Sequence, residues 1–189
     1  YATQAAPELL LVGDRHPTEL ADLRGLRFVA CIEVEDGRRM AEGLVKQMTG
    51  GDVLKARYMR ENFFQFEPTF KMLLAANHKP TIRGTDHAIW RRIRMIAFDV
   101  TIPDAEKDLH LGDKLRDELR GILAWAVRGC LAWQAEGLAA PQEVTAATAE
   151  YRGEMDVIGR YIEDRITLGD NMQTQAKALY ADYVDSVSY

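Results

Sequence analysis

Two short apolar runs constrain this chain more than any other feature. FVACI at 28–32 and MLLAA at 72–76 are of strand length and almost purely apolar. Such runs are the mark of strands covered on both faces. Each stops abruptly on groups that carry chemistry: the first on Glu33, Glu35 and Asp36, the second on Asn77, His78 and Lys79. Strands covered on both sides need helices to cover them, so the runs predict an α/β core.

The stretches between them support that expectation. PTELADLRG reads as a short helix over 18–23. RRMAEGLVKQMTGG places Met40, Leu44 and Met48 on one helical face with Val45 beside them, and Gly50-Gly51 supplies a C-terminal stop. DVLKARYMRENFFQFEPTF alternates and turns around Glu61-Asn62, as a hairpin does. RIRMIAFDV reads as a further buried strand. Beyond Pro103 the texture becomes helical, with Leu115, Leu119, Ile122, Leu123, Ala126 and Cys130 at helical spacing. Pro141 suits the first turn of another helix. The expected organisation is a core over 1–102, a helical subdomain over 103–168, and the start of one more amphipathic segment over 169–189.

Composition narrows the classes. Cys31 and Cys130 both lie in apolar runs, which predicts buried thiols rather than a bridge and fits a reducing compartment. No run of roughly 18 apolar residues exists, so no membrane helix is expected. The chain opens on Tyr1 without Met or a basic signal region, which reads as a fragment. The four histidines show no metal-ligand spacing with the cysteines, and there is no Gly-x-Ser-x-Gly elbow. The net charge is −5, yet 55–94 holds nine Lys/Arg against three Asp/Glu. A basic middle in an acidic chain is a candidate anion-facing surface.

Glu33 and Glu35 fall on one face of an extended segment, because strand side chains repeat every two residues. Acids at the carboxyl end of a buried strand lie where open α/β sheets bind ligands. They can hold Mg²⁺ through its waters and activate an attacking water. The structural alternative is that Glu35 and Asp36 complement the dipole of a helix over 38–48. Asn77 offers one donor and one acceptor, which suits orienting a water if its strand neighbours the first. Arg91 and Arg92 precede an apolar run on a loop containing Gly84, where they can reach toward a neighbouring subunit. Lys55, Arg57 and Arg60 share the hairpin with Tyr58, Phe63 and Phe64, a mixture that suits a nucleic-acid strand. There is no Gly-x-x-x-x-Gly-Lys-Ser/Thr loop in the 189 residues.

Three ordered segments carry a resemblance: VEDGRRMAEGLVKQMTGGD, FEPTFKMLLAANHKPTIRGTDHAIWRRIRMIAFDV and LRGILAWAVRGCLAW. Together they resemble the phage and plasmid primase-helicase family, superfamily 3 helicases of the AAA+ class related to the poxvirus primase-helicase. The resemblance runs over residues 1–168. It implies a P-loop ATPase core followed by a helical domain, with 169–189 the start of a winged-helix-like region. A Walker B strand would fall on Phe28 to Glu33, with Glu33 or the Glu35-Asp36 pair as its acids and Glu33 as a metal residue. Asn77 would be the sensor-1 residue, Arg91 or Arg92 the arginine finger (Arg92 preferred), and Lys55, Arg57 and Arg60 the DNA contacts.

By this resemblance the parent protein is an ATP-dependent DNA helicase in DNA replication, working with ATP and Mg²⁺ as a ring, a hexamer, in the cytoplasm of a bacterium or phage-infected cell. The missing P-loop would lie upstream, on a strand central to the sheet. Two other classes stay open on the residues: a non-catalytic DNA-binding or assembly module, and a metal nuclease using Glu33 and Glu35.

Overall fold

The computed structural model describes residues 1–13, 17–33 and 35–187. Its elements are β1 (Ala2–Ala5), α1 (Pro17–Ala21), β2 (Phe28–Ile32), α2 (Glu42–Gly50), β3 (Leu54–Ala56), β4 (Phe64–Phe66), β5 (Lys71–Ala75), α3 (His87–Trp90), α4 (Leu111–Asp117), α5 (Leu119–Glu136), α6 (Gln142–Met155), α7 (Val157–Arg165) and α8 (Ala176–Val187). Two 3-10 turns, at Pro7–Leu10 and Asp104–Glu106, complete the set. The chain is a mixed α/β protein with a parallel sheet.

That sheet has the order β1-β2-β5. Both pairings are parallel, with Val29 opposite Thr3 on one side and Met72 on the other. β3 and β4 form a separate antiparallel hairpin, Lys55 opposite Gln65. Helix α2 begins at Glu42, and Met40 before it lies in isolated bridge pairing with Leu11. It ends on Gly51 at φ 83°, the left-handed stop that a glycine accepts without a Cβ clash.

Two compact units emerge, Tyr1–Ile93 with Ala149–Tyr189, and Arg94–Thr148. The first unit holds the core. Val29 and Cys31 on β2 are fully buried with Leu9, Leu23, Ile82 and Ile89. Burial raises the Cys31 thiol to about 11, with Glu8 adding to the effect. In the same unit Tyr161 of α7 donates its hydroxyl to Leu179 O and Asp182 on α8, and stacks edge-on against Tyr183.

Three sequence expectations are corrected. Neither β2 nor β5 is covered on both faces: on β2 Val29 and Cys31 are buried while Phe28 and Ile32 are exposed, and on β5 Met72 and Leu74 are half-buried while Leu73 is exposed. The core cluster takes in the Val29 and Cys31 side chains, which alternate with Phe28 and Ile32 along the strand. RIRMIAFDV forms no strand; Phe98 is 92% exposed. A strand exists only by pairing its backbone, and no described strand pairs with this segment. Cys130 is exposed rather than buried, as are Trp125, Leu131 and Trp133 on the same helix α5.

The second unit consists of α4, α5 and the first half of α6. Met95 N donates to Thr148 Oγ1 at 3.0 Å, and Lys114 pairs with Asp108 at 2.6 Å. No described residue in it is buried. Among the described residues, no helix is long and apolar enough to cross a membrane.

Candidate functional site

The ladder between β2 and β5 fixes the site. Ile32 pairs with Ala75, and Glu33 N donates to Ala75 O at 2.9 Å. The two strands are direct parallel neighbours, so Glu33, one residue beyond β2, and Asn77, two beyond β5, both follow the carboxyl ends of adjacent strands. Glu33 has φ 66°, a left-handed backbone that an L residue enters only at a cost of roughly 1–3 kcal/mol. Glu33 and Arg60 are the described non-glycine residues with positive φ, and both were singled out on sequence.

The other acids reach neighbours of their own. Glu35 pairs with Arg38 at 3.1 Å, and Asp36 lies 3.8 Å from His78 Nδ1. Asp36 also accepts from Gly37 N. Helix α2 starts six residues beyond Asp36, so neither Glu35 nor Asp36 sits in its first turn and the dipole alternative lapses. All three carboxylates are exposed. Among the described residues no three His, Cys, Asp or Glu side chains converge as a full protein metal cage requires. Mg²⁺ bound with a nucleotide needs only one or two carboxylates beside phosphates and waters, and this donor set fits that demand.

The segment from Asn77 to the arginines is pinned along its whole length. Thr81 bonds Arg38 O and Met40 N through its backbone. Glu42 accepts from Arg83 N and Gly84 N at 2.9 and 3.1 Å. Trp90 Nε1 donates to Gly84 O at 2.8 Å. Asp86 caps α3 by accepting from Ile89 N, and it pairs with Lys46 at 2.8 Å. The Lys46 hydrogen bond, with the Ile89 amide, holds the Asp86 carboxyl below its usual range.

The two arginines at its end differ. Arg92 turns inward: Nη1 donates to Ala88 O at 2.5 Å, and Nε is buried without a hydrogen-bond partner among the described residues. Arg91 is exposed. The sequence reading preferred Arg92, whereas Arg91 is the more exposed of the two; both directly follow α3.

On the hairpin, Leu54, Ala56 and Phe66 face the core and Lys55 faces away. Lys55 and Arg57 both sit over the Phe63 ring, at 4.7 and 4.9 Å, and Phe63 is exposed. Tyr58 donates to Ala21 O at 3.2 Å, anchoring the tip to α1. The aromatics therefore divide, Phe66 into the core and Phe63 outward with the cations. Glu42, Tyr151 and Glu154 were missed on sequence. No local pattern marks them, since their partners lie about 40 to 75 residues away.

No family model matches the chain. It is similar to the protein named Putative helicase L207/L206 of Acanthamoeba polyphaga mimivirus, 31% identical over 170 residues, covering 81% of this chain and 18% of that protein. It is also similar to Putative helicase 022R of Frog virus 3, 30% identical over 173 residues (82% and 18%). Putative helicase 184R of Invertebrate iridescent virus 6 is 26% identical over 195 residues (85% and 20%). The chain thus spans about a fifth of the length of the curated relatives it matches. Its relatives are large-DNA-virus proteins named as helicases.

Proposed function

We propose that this chain is the Walker B-to-arginine-finger part of an ATP-driven DNA helicase of the superfamily 3, primase-helicase type, an AAA+ P-loop ATPase. The observation that carries the reading is the β2–β5 pairing, which sets Glu33 and Asn77 at adjacent strand ends. The names of the viral relatives support the helicase class.

Bound Mg·ATP would supply an electrophilic terminal phosphate. Glu33 takes the proton of the attacking water, and Asn77 orients that water through its paired donor and acceptor. Glu35 and Asp36 stand by as the remaining carboxylates. Arg91 or Arg92 reaches the phosphate held by a neighbouring subunit of a ring, a role worth roughly 10³–10⁵ in rate. On the ring axis, Lys55, Arg57 and Arg60 meet DNA phosphates, and several copies of that hairpin concentrate positive charge that one acidic chain does not have.

The test is ATP hydrolysis, with and without single-stranded DNA, by the protein in its natural sequence context. Wild type should hydrolyse ATP faster with DNA, and Glu33→Gln should abolish turnover while nucleotide binding persists. DNA binding without any hydrolysis would instead favour a binding or assembly module. DNA cleavage with Mg²⁺ and no nucleotide would favour a nuclease.

A further inference from the structure

The far half of α6 grips the strut that joins Asn77 to the arginines. Lys79 Nζ donates to both Glu154 oxygens, at 2.7 and 2.8 Å, and lies 5.7 Å from the Tyr151 ring centre. Tyr151, buried, donates its hydroxyl to Pro80 O and packs edge-on against Trp90 at 5.3 Å. Arg152 donates to Thr85 O at 3.0 Å. Burial, with Glu154 nearby, pushes the Tyr151 hydroxyl above its usual range, so it stays a donor at any ordinary pH.

These contacts touch the strut at its first residues, its middle and its last. Glu42, Lys46 and the Arg38–Met40 backbone hold the same loop. The loop is thus held at several points between Asn77 and the arginines, by α6 and by the Arg38–Lys46 segment. We propose that Tyr151, Arg152 and Glu154 are positioning residues that fix Asn77 and the arginine pair relative to each other, so that α6 sets the rate of the hydrolysis proposed above. None of the three touches the reacting atoms.

The inference rests on that hydrolysis reading, and the experiment separates the two. DNA-stimulated ATP hydrolysis would be measured for wild type, Lys79→Glu, Glu154→Lys, the double exchange and Arg152→Ala. Lys79 and Glu154 are partly exposed, so each single variant should keep its melting temperature. Each should lose about tenfold or more in kcat with little change in KM for ATP, the signature of misplaced rather than missing groups. The double exchange should recover most of the loss. A hydrolysing wild type whose kcat is indifferent to all four variants would overturn the clamp and leave the hydrolysis reading standing. Equal losses in kcat and melting temperature, with no recovery in the exchange, would also overturn it. A wild type that does not hydrolyse ATP would overturn both.

Discussion

Trp90 and Trp125 occupy the same chain with opposite surroundings. Trp90 is 4% exposed, hydrogen-bonded to Gly84 and packed on Tyr151, whereas Trp125 on α5 is 70% exposed. The contrast extends to their units. Residues 1–93 with 149–189 bury a continuous core, while 94–148 leave Leu119, Leu123, Leu131 and Trp133 open. Apolar periodicity alone therefore does not make a core; it makes a face that needs something to meet.

Matched truncations break or sharpen this comparison. Trp90→Ala should cost about 3–5 kcal/mol in urea unfolding. Trp125→Ala, the same chemical change, should stay within about 0.5 kcal/mol. Equal costs would mean the two regions are not different in kind. Tyr151→Phe leaves Pro80 O buried without its donor and should cost about 1–3 kcal/mol by the same measurement.

Gly84→Ala is smaller again. A Cβ there would fall 2.3 Å from Glu42 Oε2, so the carboxylate must swing off the Arg83 and Gly84 amides, at about 1 kcal/mol. Asp86 should give the least. Its folded pKa is depressed by Lys46, so its contribution is complete above the unfolded value near 3.9 and is lost as pH falls through the lower folded value. Asp86→Asn should flatten that acid limb of the melting profile while keeping the cap; an unchanged limb would assign it to other carboxylates.

Much of the well-packed unit was legible. FVACI and MLLAA formed strands, the Gly50-Gly51 stop ended α2, and the alternating run made a hairpin, because each depends on local pattern; that the two strands are neighbours was left open by the sequence. β1 was not legible: ATQA is four residues long with Thr3 its single β-branched residue, and it is a strand because β2 offers its backbone a partner. RIRMIAFDV failed for the converse reason, an apolar run with no described strand to pair with. The strand-tip placement of Glu33 and Asn77 followed once the strands were neighbours. The inward turn of Arg92 and the grip of α6 did not, since both depend on contacts that sequence spacing does not encode.

The measurement closest to the central claim is a subunit-mixing assay of DNA-stimulated ATP hydrolysis. Arg91→Ala and Arg92→Ala would each be mixed with Glu33→Ala, in the protein's natural sequence context. Shared sites predict that Glu33→Ala and at least one of the arginine variants are inactive alone, and that this arginine variant regains activity on mixing with Glu33→Ala, because some interfaces then carry both intact halves. No recovery from either mixture, or full activity of both arginine variants alone, would contradict a site built from β2, β5 and a neighbour's arginine.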